Sequence, residues 1–176
     1  MRERYLCEHG HERYSTLEGI PPEICTICGT KNLRKEGKMK RVVIESPYKG
    51  DDKQMQINEI YGEFAMHDCL VNHNESPYAS HLLYTRKHVL RDWVPEERKL
   101  GIEAGFYWRD VSEQSNFYVD LGITDGMGLG IDDCNEKGKY YELRSLPDEL
   151  WKEFENVCLS GGLGKPKREL LGGDSL

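Results

Sequence analysis

The chain has 176 residues, 38% hydrophobic and 31% charged, with a formal net charge of −7. That composition excludes a disordered chain and suits one ordinary domain with a small appendage. No apolar run approaches the ~20 residues of a membrane span, and the charged start, MRERYLCEHGHERY, lacks the apolar segment of a signal peptide. The expectation is a cytoplasmic protein with no membrane partner. An acidic chain is also a poor general nucleic-acid binder, although residues 31–41, KNLRKEGKMKR, carry six Lys/Arg against one Glu.

In chain order, the first 30 residues contain C-x3-H, thirteen intervening residues, then C-x2-C. Zinc takes four N/S ligands in a tetrahedron, and short-spaced pairs on two tight turns supply them with little chain. The expected ligands are Cys7, His11, Cys25 and Cys28, with His9 competing with His11. Gly10 and Gly29 provide permissive backbone at the two turns. About 30 residues build no stable core without a staple, so a structural zinc is expected, with no open position for catalysis. The two turns, C-x-x-G-H and C-x-x-C-G, resemble those of a zinc ribbon, and residues 1–38 are assigned to this ribbon and a basic linker. Cys69, Cys134 and Cys158 lie far apart and read as small buried hydrophobes.

Residues 39–158 read as an α/β domain. Val42-Val43-Ile44 is a short buried strand that stops at Glu45-Ser46-Pro47-Tyr48, as a central parallel strand does at a ligand crevice. Asp51-Asp52 can cap the next helix, whose apolar residues Ile57, Ile60, Tyr61, Phe64 and Ala65 recur at helical spacing, with Cys69 and Leu70 continuing the stripe. Tyr78 to Tyr84 reads as a second strand running into a loop that holds His81. Pro95 sits in the first turn of a helix in which Leu100, Ile102, Ala104, Phe106, Tyr107 and Trp108 predict burial. Residues 116–123 form strand three, and Thr124-Asp125-Gly126 opens a short helix ending at Lys137-Gly138. Residues 140–144 form strand four, and a helix runs over 147–157. Residues 159–176 read as a flexible tail.

This alternation predicts a four-stranded parallel sheet of order 2-1-3-4 with helices on both faces. The switch point then lies between strands one and three, with ligand above Glu45–Tyr48 and Thr124–Met127. The glycine-rich TDGMGLG opens a helix, so anion binding by its N–H groups and close packing of the helix are both open. Neither GxGxxG nor GxxxxGK[ST] is present. Glu45 ends a buried strand, where desolvation would raise its pKa and suit it to acid/base or nucleophilic work, while capping of a neighbouring helix is the blander alternative. His81 is the histidine best placed to act or to touch a ligand. Glu103 lies on an apolar helix, either as a buried anchor or as a site residue.

The succession RVVIESPY, SPYASHLLYT, PEERKLGIEAGFYW, GITDGMGLGIDDC and YYELRSL, over residues 41–146, resembles the nucleoside 2-deoxyribosyltransferase-like superfamily, and most closely the small bacterial and phage proteins grouped beside those enzymes. The resemblance implies a nucleoside or nucleotide ligand bound by the loop after strand one, here Glu45-Ser46-Pro47-Tyr48; with the other loops that converge on the crevice, the expected ligand contacts are Ser46, Pro47, Tyr48, Ser80, Asp125, Gly126 and Met127. It also implies a nucleophilic glutamate in a motif resembling D-x-G-[TM]-x-x-E-[IL]. Aligning Gly126 and Met127 puts Gly130 at that glutamate's position. Asp132 and Asp133 differ from it in direction by ~200° and ~300° around the helix, so neither substitutes simply. The implied activity is cleavage or transfer at an N-glycosidic bond, with Glu45, His81 and Glu103 as catalytic candidates. Nucleotide binding without turnover is the alternative, and a macromolecular partner through the zinc ribbon and self-association both stay open.

Overall fold

In a computed structural model, residues 4–7, 9–16, 20–31, 33–35, 37 and 39–169 are described. Strands β1 (Arg4–Cys7), β2 (Glu12–Tyr14) and β3 (Leu33–Lys35) form an antiparallel sheet of order β2-β1-β3. Gly10 and Gly29 hold positive φ, 78° and 75°, at the turns beside the Cys7/His11 and Cys25/Cys28 pairs, a conformation that costs glycine little.

The second sheet begins with β4 (Lys40–Glu45), whose Val42, Val43 and Ile44 are buried. Helix α1 (Asp52–Val71) starts where Asp51 accepts a hydrogen bond from the Gln54 N–H at 2.8 Å, a side-chain N-cap. Its Ile57, Tyr61, Ala65 and Cys69 lie on one buried line, whereas Leu70 faces solvent instead of continuing that line. The remaining elements are β5 (Glu75–Tyr78), α2 (Ser80–Tyr84), α3 (Pro95–Val111), β6 (Gln114–Tyr118), α4 (Asp125–Lys137), β7 (Tyr141–Arg144) and α5 (Asp148–Ser160). All pairs among β4–β7 are parallel, in the order β5-β4-β6-β7. This is the expected 2-1-3-4 arrangement. Val42, Ile44 and Tyr118 pack with α1 and α5, and Phe117 and Val119 with α4, so both faces of the sheet are covered.

Four expectations are corrected. Residues 78–84 are not a strand: β5 ends at Tyr78 and His81 sits on the short helix α2. Pro77 lies within β5, which is an edge strand, where a missing N–H is tolerated. Helix α3 is not mostly buried; only Gly105 and Arg109 are, while Leu100, Tyr107 and Trp108 are exposed. Strand three starts earlier than residue 116, because Gln114 and Ser115, although polar, are buried in the sheet, where the Gln114 side chain donates to Asn116 Oδ1 at 2.6 Å. The segment read as a flexible tail is docked as far as residue 169. Arg168 Nε donates to buried Asp120 Oδ1 at 2.7 Å and the Glu169 N–H to the Asp120 carbonyl at 2.6 Å, while residues 170–176 fall outside the described residues. Among the described residues no helix is long and apolar enough to cross a membrane.

Candidate functional site

The C-terminal end of β4 opens into a cavity of about 520 Å³ between α2, α3 and the start of α4. That volume lies within the range of small-molecule sites. Of the predicted site residues, Glu45, Ser46, Tyr48, Ser80, His81, Asp125, Gly126 and Met127 all line it. Two do not. Pro47 is buried and does not line the cavity. Glu103 lies on the outer face of α3, exposed, with Lys99 Nζ 3.8 Å away. The helix turns it outward because the inward line of α3 is Arg98, Ile102, Gly105 and Arg109. Glu103 therefore does not join the other candidates at the cavity.

Ser46 and His81 form a pair. Their Oγ and Nε2 atoms are 2.8 Å apart, and Ser46 is buried. Among the described residues, buried His81 Nδ1 has no hydrogen-bond partner. Desolvation pulls the ring down to a pKa of about 4. His81 is therefore neutral at pH 7, able to accept a proton or a hydroxyl hydrogen. The unfolded chain, with an ordinary histidine value of 6.5, binds the proton first as pH falls. The stability this contributes is complete above pH 6.5 and is lost as pH falls towards 4. NMR of the imidazole should give a midpoint below 5 for His81, and His81→Gln should flatten the stability profile across that window. A midpoint near 6.5 would contradict the burial.

Sequence reasoning missed Arg109. This residue is completely buried, its Nη2 donates to Glu45 Oε1 at 2.5 Å, and its Nη1 donates to Asp133 Oδ2 at 3.1 Å. Its guanidinium lies 4.9 Å from the centre of the Phe106 ring. The room for it exists because residue 130 is glycine. A Cβ at Gly130 would stand 2.9 Å from Arg109 Nη2 and 3.1 Å from Phe117 Cε1. Gly128 has nothing within 4 Å of such an atom, so close packing explains Gly130 and not Gly128. Burial pushes the Glu45 carboxyl up to about 7, against the downward pull of Arg109. Glu45 thus sits at the cavity wall able to exist in both protonation states near neutrality. The sequence signal for Arg109 is its spacing, eleven residues after Arg98 and four after Gly105, which puts the three on one line of α3.

The cavity has two characters. Glu45, Ser46, Ser80 and His81 make a polar wall at the end of β4, and Ile102, Phe106, Met127 and Leu129 offer apolar surface opposite in kind. At the mouth, Arg98 Nη1 is held by both oxygens of Asp92, at 2.7 and 2.9 Å.

In the N-terminal sheet, Cys7, His11, Cys25 and Cys28 bring one ligand atom each to within 4.8 Å of one another, a group that could hold a metal ion. Cys7 Sγ and Cys28 Sγ are 3.8 Å apart, and Cys25 Sγ is 3.7 Å from His11 Nδ1. His9 is outside the group, which resolves the choice between the two histidines in favour of His11. Burial would raise the Cys25 thiol, but hydrogen bonds to its sulfur from the Cys28 and Ile27 backbone bring it down to about 6, favouring the thiolate that metals bind.

A search of curated proteins and a search of solved structures each return no match to the chain. One family model matches, described as a domain of unknown function, DUF7768, over residues 40–144. Those limits are the first residue of β4 and the last of β7, so the match takes in the whole parallel sheet, Glu45, Arg109, Gly130 and the cavity, and leaves the Cys/His group outside. More than half of the chain is covered, and the protein belongs to the DUF7768 family.

Proposed function

We propose that the cavity takes a nucleoside or nucleotide and that Glu45 acts on its N-glycosidic bond. One observation carries the reading: a near-neutral carboxyl, a neutral Ser46–His81 pair and an apolar wall share one cavity of about 520 Å³. A sugar joined to a flat heterocycle has the matching division into a hydroxyl-rich half and an apolar half. The resemblance of residues 41–146 to the deoxyribosyltransferase-like superfamily points the same way.

With glycine at position 130, no carboxylate stands there to hold the sugar covalently, so the route suited to this chain is direct attack by water. Ionised Glu45 accepts a proton from the water as its oxygen bonds to the anomeric carbon. The carbon–nitrogen bond breaks, and the departing base takes up a proton from solvent. The Ser46–His81 pair can hydrogen-bond the sugar hydroxyls. Glu45→Gln should abolish release of free base from a panel of nucleosides and nucleotides while the ligand-induced thermal shift persists. Unchanged turnover in that variant would end the assignment.

The ion pair between Glu45 and Arg109 supports a second reading, a nucleotide-binding protein without turnover, since a paired carboxylate is a poorer base. Heat-released ligand identified as a nucleotide by mass spectrometry, with no base release, would select it.

We also infer that the Cys/His group holds structural zinc. The edge of a tetrahedron with Zn–S bonds of ~2.3 Å is ~3.8 Å, the spacing of the Cys7 and Cys28 sulfurs. Three cysteines and one histidine close the coordination shell, so the ion would staple the small sheet and take no part in the chemistry of the cavity.

A further inference from the structure

Glu45 belongs to a chain of charges that runs from the cavity to the surface. Glu45 on β4 meets Arg109 on α3, Arg109 meets Asp133 on α4, and Lys137 Nζ bonds Asp133 at 2.9 Å and Asp110 at 2.8 Å. Arg109 and Asp133 cancel, and so do Lys137 and Asp110. Glu45 carries the one charge left over. An arginine keeps its positive charge throughout the pH range a protein survives, so a buried guanidinium requires an anion beside it at all times. Asp133, also buried, meets that requirement from the far side. Glu45 can therefore gain or lose a proton without stranding Arg109.

We propose that Arg109 and Asp133 are positioning residues which leave Glu45 free to exchange its proton, so that the protonation of the cavity wall is set from behind it, through the α3–α4 contact. Gly130 belongs to the same device, because its missing Cβ is the space in which the guanidinium lies between the two carboxylates.

The other groups near Glu45 do not take over this role. On α2, His81 is neutral and bonded to Ser46. On α4, Cys134 has a thiol raised by burial and so stays neutral, and Asp125 is exposed at the mouth. Lys49 is exposed, and Arg98 is bonded to Asp92 and Arg91 to Glu97 at the rim. Lys139 bonds the backbone carbonyl of Asp110, at the solvent-exposed end where screening weakens it.

The inference rests on the reading of Glu45 as the proton-transferring group, but its test needs no ligand. The carboxyl carbon of Glu45 is followed by NMR against pH in the full chain, in wild type, Asp133→Asn and Lys137→Met. Asp133→Asn keeps the shape and removes a negative charge, leaving Arg109 wholly to Glu45, so the Glu45 midpoint should fall by about one pH unit. Lys137→Met removes the cation that competes for Asp133, so the midpoint should rise. Opposite signs from two neighbouring substitutions are the signature, since a merely structural role would move both midpoints the same way or neither. Equal shifts, or midpoints unmoved in variants that keep the wild-type spectrum, would overturn the proposal. Opposite shifts without base release from any nucleoside would preserve it and count against the N-glycosidic reading alone.

Discussion

Arg109→Met is expected to destabilise the domain by about 3–5 kcal/mol, the usual cost of removing one partner from a buried ion pair. The substitution keeps much of the side-chain volume and the contact with Phe106, so loss of packing contributes little. What it removes is the cation between Glu45 and Asp133, both buried or nearly so, with side-chain exposures of 14% and 10%. The two carboxylates would then stand on either side of an apolar side chain in a medium that solvates neither. One must take up a proton, or the α3–α4 contact must open to admit water. Denaturant unfolding at pH 7 measures the loss, and repeating it at pH 5, where Glu45 is protonated in the folded state, should recover part of it. A cost below about 1 kcal/mol would mean that the guanidinium is no keystone of this wall and that its bonds merely break even against desolvation.

Removing the metal should have an effect of similar size, confined to the other end of the chain. The three strands β1–β3 have 4, 3 and 3 residues, too little to bury a self-sufficient core. Around the knuckle, Ile20, Ile24 and Ile27 are exposed rather than packed inside. Metal analysis of the purified protein should give close to one zinc per chain. A strong chelator, or Cys25→Ser with Cys28→Ser, should unfold the small sheet, seen as loss of amide dispersion for residues 4–31. Signals of β4–β7 should stay in place, because the parallel sheet has its own two-sided core. A fully dispersed, metal-free wild type would refute the zinc assignment.

The parts of this protein that could be read from sequence are those governed by local chemistry. The four metal-binding candidates declare themselves by spacing, because two short loops of fixed reach allow few arrangements. The order of the parallel sheet follows from alternating patterns and from the handedness of crossovers. Glu45 is legible because an apolar run that stops abruptly marks the end of a strand at a crevice, whereas His81, expected in a loop after a second strand, sits on the short helix α2. The helix α3 shows where this kind of reading fails. Its apolar residues Leu100, Tyr107 and Trp108 suggest a buried face, and they are exposed. The face that turns inward holds Arg98, Ile102, Gly105 and Arg109. Gly105 lets α3 approach α2 closely, a Cβ there meeting Ser80 Oγ at 2.9 Å, and that approach sets the rotation of the whole helix.

By itself, then, the sequence determined the Cys/His cluster that could hold a metal ion, the succession of strands and helices, and the carboxylate at the end of β4. Only the tertiary structure decided that Glu103 faces solvent, that Arg109 stands behind Glu45, and that Gly130 is there to make room for it. The reason is physical: the environment of a charge depends on which groups from distant elements surround it, and residues 45, 109, 130 and 133 share no local pattern that could announce their meeting.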